Sequence, residues 1–260
     1  MRQVTFSTLF SFLIVLVMCD ASAQTGDALP NVETIIARMA EARAGNQACF
    51  RPYVVTRDYR LFGKDRARTK ARVLADITFT PPDAKKYAIQ QATGSGLGKR
   101  IVRRTLAGEV DIAKDYALTD FSAENYDFRF MRTSDIGGRR LYELELLPRR
   151  EDQHLLRGHI WIDSATYLPR RIQGEPAKSP SWWLSKVKIT LLYGDVSGMW
   201  LQTHVKATAN VRILGPYTLI SKDVEYRIAK PDVALCPARG SEIHTARISS
   251  APIQPSATHR

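Results

Sequence analysis

The strongest constraint on this chain is a hydrophobic period of two that recurs, broken by turn residues, from about residue 125 to residue 228. Successive side chains of a strand point to opposite faces, so such a run sits half-buried as strand and not as helix. Residues 126–132 alternate, and Gly137-Gly138 turn the chain. Residues 139–147 return with Tyr142, Leu144 and Leu146 on one face and Glu143 and Glu145 on the other. Residues 155–163 and 167–173 pair across Asp163-Ser164-Ala165-Thr166. Residues 183–193 alternate again through Val187, Ile189 and Leu191, and residues 194–198 turn. Residues 199–214 and 217–228 form a last pair across Gly215-Pro216. Upstream, residues 53–61, 72–80 and 86–92 read as three more strands, the second closed by Pro81-Pro82. Some nine or ten strands with short turns predict a meandering antiparallel sheet, and a sheet that wide curls strongly or closes.

Two helices punctuate this pattern. Residues 31–43 carry Asn31 as a cap and Val32, Ile35, Ile36 and Met39 on one face, with Gly45 as the stop. Residues 99–116 carry a weaker stripe of Ile101, Val102, Leu106 and Val110. Before this second helix, Gly94, Gly96 and Gly98 interrupt regular structure. The stretch Gly94-Ser95-Gly96-Leu97-Gly98-Lys99 does not make a phosphate loop. The glycine that should precede Gly98-Lys99 by five residues is Thr93, and Arg100 stands where Ser or Thr is required.

The N-terminus reads as an export signal. Arg2 is followed by an apolar run over residues 9–18, and Ala21-Ser22-Ala23 supplies the small-x-small cleavage pattern. The run is shorter than the roughly 20 residues a membrane span needs. Cleavage is expected after Ala23, which places the protein in the periplasm and removes Cys19. Cys49 and Cys236 then remain, bracketing most of the domain, and an oxidising compartment makes them candidates for a disulfide; two buried free thiols are the alternative. Residues 24–236 are expected to form a single domain and residues 237–260, small, polar and Pro-containing, a disordered tail.

The net charge of +12 is dispersed. It suits contact with anionic lipid or an acidic envelope surface, or simply a solvated basic surface. No nucleic-acid motif accompanies it, and nucleic acid is not expected as a partner. The five histidines, His154, His159, His204, His244 and His259, have no Cys or carboxylate cluster beside them, so no metal is expected. No Gly-x-Ser-x-Gly elbow or nucleophile–base pair is present. The expectation is a binding protein without cofactors, not an enzyme. Trp161 and Trp200 lie inside strands, whereas Trp182 and Trp183 stand at a loop-to-strand boundary.

The segment Ile160-Trp161-Ile162-Asp163-Ser164-Ala165-Thr166-Tyr167-Leu168-Pro169-Arg170-Arg171 resembles the hairpin of periplasmic lipoprotein carriers of the LolA/LolB type. The Pro81-Pro82 turn, the Lys-rich strand and the Gly-rich loop agree with it. Residues 84–173 are also similar to the lipid-binding half of the MucB/RseB regulators, and Gly198-Met199-Trp200 resembles lipoprotein-sorting-like proteins. The resemblance implies an incomplete, strongly curved antiparallel barrel of about nine to eleven strands with a helical lid. Its cavity would receive lipid, lipoprotein acyl chains or another hydrophobic ligand. A second implied reading is an envelope interaction module with a protein partner, sensing lipidated or misfolded components. Strand parity then gives cavity candidates: Tyr142, Leu144 and Leu146; Val187, Ile189 and Leu191; and Val205, Ala207, Ala209 and Val211. Ala207 and Ala209 would leave room for a ligand. Gly94, Gly96 and Gly98 would hinge the lid.

Overall fold

A computed structural model describes residues 31–114, 116–229 and 247–249. The signal segment and its cleavage site, Cys236, and most of residues 237–260 lie outside the described residues. The chain begins with helix α1 (Val32–Ala48), then β1 (Tyr53–Phe62), β2 (Thr69–Thr80), β3 (Ala84–Gly94) and helix α2 (Gly96–Lys114). Seven strands follow: β4 (Tyr126–Ile136), β5 (Arg139–Pro148), β6 (Leu156–Asp163), β7 (Pro169–Pro176), β8 (Leu184–Val196), β9 (Met199–Val211) and β10 (Gly215–Ile228). They form one antiparallel sheet in the order β3-β2-β1-β10-β9-β8-β7-β6-β5-β4. The sheet does not close, because β3 and β4 remain its edges. A three-residue strand β11 (Arg247–Ser249) pairs parallel with Glu225–Arg227 of β10.

The sheet is wrapped. Phe79 of β2 and Ile160 of β6 line one cavity, although six strand spacings separate their strands in the sheet order. In a flat sheet, at about 4.8 Å per strand, they would stand roughly 29 Å apart. The concave face holds two apolar clusters. Val102 and Leu106 of α2 pack on Val55, Tyr59, Val73 and Ile77. Ile35 and Met39 of α1 pack on Tyr142, Leu144, Leu146 and Ile160.

Both helices differ from their expected bounds. Asn31 caps α1, its side chain accepting from the Glu33 amide at 3.3 Å, but the helix runs through Gly45 and ends at Cys49. A glycine stops a helix only where the backbone turns left-handed, and Gly45 does not. Gly96 and Gly98 lie in the first turn of α2 and do not interrupt structure. Gly94 is the one break there, at φ +95°, where a Cβ would come within 2.3 Å of the Lys70 carbonyl oxygen. A Cβ on Gly98 would meet Ala71 Cβ at 2.6 Å, so this glycine lets α2 lie close on β2. The β9–β10 turn falls at residues 212–214, one step before the expected Gly215-Pro216.

The β6–β7 hairpin is organised by Asp163. Its carboxylate accepts from the amides of Ala165 (3.0 Å) and Thr166 (3.1 Å) and from Arg170 Nε (3.1 Å). Burial pushes the Asp163 carboxyl up, but these donors and the Arg170 charge outweigh it and hold the group below its ordinary value. A depressed folded pKa stabilises the protein fully above the unfolded value of about 3.9 and loses that stabilisation as pH falls through the folded value. Asp163→Asn should therefore lower the unfolding free energy near neutral pH by about 1–3 kcal/mol. The gap to the unmutated protein should close as urea melts are taken from pH 6 toward pH 2. A gap that stays constant over that range would show that the carboxylate charge is not what the hairpin uses.

A cavity at the seam of the two clusters

Between the two apolar clusters lies a cavity of about 570 Å³, within the range of small-molecule sites. Met39 and Ile160 reach it from the α1 cluster, and Tyr53, Phe79 and Leu201 from the α2 cluster. The α1 helix roofs it. Asn46, near the end of α1, exchanges two hydrogen bonds with the backbone of Trp200: Nδ2 donates to the Trp200 carbonyl (2.9 Å) and Oδ1 accepts from its amide (2.7 Å). Trp200 itself is fixed by Nε1 donating to the Pro169 carbonyl (2.7 Å) and by the Arg170 guanidinium 4.5 Å from the ring centroid. Arg43 of α1 pairs with Asp120 on the loop before β4. Asn125 Nδ2 braces that loop by donating to the Ala117 carbonyl (2.9 Å) and to Asp120 Oδ1 (2.7 Å).

One wall carries a buried charge cluster. Arg57 of β1 donates through Nη1 to Glu109 of α2 (2.9 Å) and through Nε to Asp223 of β10. Tyr59 donates to Glu109 at 3.1 Å, and Tyr226 donates to Asp223. The Arg57 side chain is 11 % exposed and that of Asp223 1 %. Burial works against the Arg57 charge, but the carboxylates of Asp223 and Glu109 raise its pKa well above the ordinary guanidinium value. Burial pushes the hydroxyls of Tyr53, Tyr59 and Tyr226 up, so all three remain protonated donors.

Local sequence explains how these groups meet. Tyr53, Val55, Arg57 and Tyr59 share one face of β1 by period two. In α2, Val102, Leu106, Glu109 and Ala113 follow each other at four- and three-residue steps, which puts Glu109 on the buried stripe. On β10 the register slips: Thr56 faces Glu225 while Arg57 faces Asp223. Val224 is the extra residue of this bulge and is turned out to solvent, 45 % exposed. The slip moves Asp223 to the concave side, beneath Arg57.

Lys85 of β3 also lines the cavity. Among the described residues no carboxylate lies in ion-pair contact with it. Burial, with the nearby Arg57 charge, lowers its pKa from the ordinary lysine value, and Glu109 and Asp223 only partly offset this.

The ten cavity candidates read from the sequence lie elsewhere along the strands, and none lines this cavity. Tyr142, Leu144 and Leu146 are buried in the α1 cluster. Ile189 and Leu191 pack against that cluster, and their register partners Ala207 and Val205 are half-buried. Val187 and Ala209 are half-buried and Val211 is buried. Tyr193, the next residue of the Val187, Ile189, Leu191 series, does reach the cavity. Gly94, Gly96 and Gly98 stand at the other end of α2 from Ala113, the residue of that helix on the cavity wall. Arg57, Glu109, Asp223 and Lys85 were not singled out from the sequence. Two signals were available, an arginine on the apolar face of residues 53–61 and a glutamate on the apolar stripe of the second helix, because unpaired charge is rarely buried.

Removing Arg57 alone leaves Asp223 and Glu109 without their shared cation. Arg57→Met is expected to cost about 3–5 kcal/mol, measured by chemical denaturation, and Glu109→Gln with Asp223→Asn in the same chain should recover most of it. A loss under about 1 kcal/mol for Arg57→Met would mean that the carboxylates find other partners.

No family model and no curated protein matches the sequence. Among solved structures, the fold is similar to a putative outer membrane lipoprotein-sorting protein domain from Vibrio parahaemolyticus, at 16 % identity and TM-score 0.45 over 78 % of this chain and 96 % of that one. It is also similar to a LolA superfamily protein from Nitrosomonas europaea, at 11 % identity and TM-score 0.36 over 78 % and 95 % of the two chains. A third similar structure is the MucA/MucB complex of Pseudomonas aeruginosa, at 13 % identity and TM-score 0.24 over 73 % and 92 %.

Proposed function

We propose that this protein is a periplasmic binding protein whose cavity holds the apolar part of a lipid, a lipoprotein acyl chain or another hydrophobic ligand, and favours an amphiphile with an acidic head. The observation that carries the reading is a largely apolar cavity of about 570 Å³ whose wall includes a lysine without a carboxylate partner among the described residues. Met39, Phe50, Phe79, Ile160 and Leu201 give a tail a surface to displace water from. Arg57 is committed to two carboxylates and Arg43 to Asp120. Lys85 is left to meet a carboxylate or phosphate, and its partial desolvation strengthens such a contact. A cavity of this lining suits holding a ligand, and carriage or storage is the role that this reading assigns.

Cis-parinaric acid and its methyl ester test the two parts separately. Both should bind and fluoresce, which tests the cavity, and the acid should bind more tightly. Lys85→Met should weaken the acid about tenfold, equivalent to about 1.4 kcal/mol, and leave the ester unchanged. Failure of both probes would reject the cavity as a lipid site. Equal loss of both in Lys85→Met would reject the head-group role alone.

Export is part of the same reading. Cys49 closes α1 and is 9 % exposed, and a bridge to Cys236 would fasten the chain beyond β10 to the helix that roofs the cavity. Protein isolated from the periplasm should have an intact mass corresponding to a start at Gln24. It should take up no alkylating agent when denatured without reductant. Two alkylated cysteines would exclude the bridge, and a lipid-bearing start at Cys19 would make the protein membrane-anchored.

A further inference from the structure

Among the described residues, three exposed large apolar side chains gather at the tip formed by the loop before β8 and the β9–β10 turn. Ile213 is 104 % exposed, Trp182 78 % and Leu214 54 %. The two loops are tied together: the Arg212 amide donates to the Trp183 carbonyl at 2.9 Å. The Arg212 guanidinium also lies 5.6 Å from the Trp182 ring centroid. Ile213 has φ 72°, a region that β-branched residues avoid and that glycine or asparagine enters at little cost. The chain thus accepts backbone strain to carry a large apolar side chain at a position where it packs on nothing.

The two segments that form the tip carry charges of one sign, and the carboxylates of the adjoining loop, Asp152 and Glu151, are paired with Arg150 and Arg157. Residues 176–194 and 196–222 contain no Asp or Glu at all, and they include Lys178, Lys186, Lys188, Lys206, Arg212 and Lys222. Lys178, Lys186, Lys188 and Arg212 are exposed. A convex tip with Trp, Ile and Leu at its summit and cations behind it has the form of a surface that enters the head-group layer of a bilayer. Tryptophan favours that depth, aliphatic side chains reach below it, and lysines and arginines at its edge attract anionic lipid. A protein partner would more commonly meet a flatter patch with charges of both signs.

We propose that this tip docks the protein peripherally on an anionic bilayer, with Trp182, Ile213 and Leu214 inserted and Arg212 and the lysines on lipid phosphates. The tip contributes no residue to the cavity, so docking is independent of the ligand reading above.

The test uses the exported chain with extruded vesicles of phosphatidylethanolamine and phosphatidylglycerol (7:3), and of phosphatidylcholine alone. The protein should sediment with the anionic vesicles, less so in 0.5 M NaCl, and brominated acyl chains should quench its tryptophan fluorescence. Ile213→Asn combined with Trp182→Ser should reduce binding at least fivefold. Ile213→Asn by itself should not lower Tm, because asparagine tolerates the left-handed backbone, so weaker binding would not reflect unfolding. Binding of cis-parinaric acid should be unchanged in both variants. Undiminished vesicle binding by the double variant, or no preference of the unmutated protein for anionic vesicles, would overturn the proposal.

Discussion

An open sheet has a concave face wider than two helices can cover, and the rest of this structure follows from that mismatch. Ten strands curve far enough that β2 and β6 face a common space. Apolar side chains on that face must leave water, and α1 and α2 supply the cover at its two ends. Each helix gathers its own cluster, and between them the cover is incomplete. The cavity is this uncovered seam. Its walls therefore come from both clusters, and its roof hangs on a few contacts of α1, chiefly the amide pair between Asn46 and Trp200 and the link of Arg43 to Asp120.

The seam is also where the fold tolerates charge. Moving a guanidinium and two carboxylates out of water is costly, and their mutual attraction offsets this only when the hydrogen bonds are nearly complete. Arg57 meets that condition with Asp223, Glu109 and the Gln202 carbonyl, and Tyr59 and Tyr226 fill carboxylate positions that remain. This cluster joins β1, β10 and α2, three elements far apart in sequence. It fixes α2 against the sheet in one position, which an apolar contact alone, being non-directional, would not do. Lys85 stands at the border of this arrangement with two positive and two negative groups around it, counting itself and Arg57 against Glu109 and Asp223. The cluster is neutral as a whole, yet among the described residues no carboxylate is in ion-pair contact with the Lys85 ammonium.

The strands were legible in the sequence because half-buried strands write a period of two, and the hairpin at Asp163 was legible because its turn residues are local. The cavity was not. Parity names a face but not a position along it, so Ile189 and Leu191 pack on the cluster while of this series only Tyr193, one step further, also lines the void. The charge cluster was hidden for a different reason. Period two counted back from Tyr226 and Ile228 puts Val224 inside and Asp223 outside, and the bulge at Val224 reverses both. A single inserted residue has no compositional signature. Gly45 misled for the opposite reason, since its sequence context suits a helix stop while the backbone there remains helical.

The cavity and the tip stand at opposite ends of one strand. Trp200, the second residue of β9, lines the cavity, and Val211 ends the strand beside the tip. At about 3.3 Å per residue the path along the strand is at most roughly 36 Å, comparable with the hydrocarbon thickness of a bilayer, about 30 Å. A tip held in the head-group layer therefore keeps the cavity end away from that same surface. Ligand would not pass from the docked bilayer into the cavity by direct contact. It would have to reach the cavity from the aqueous side or from a second surface facing α1. If both proposals hold, the protein would be tethered at one end and open to ligand at the other. In such an arrangement the strand length sets the reach, and the paired strands on both sides of β9 make that reach rigid.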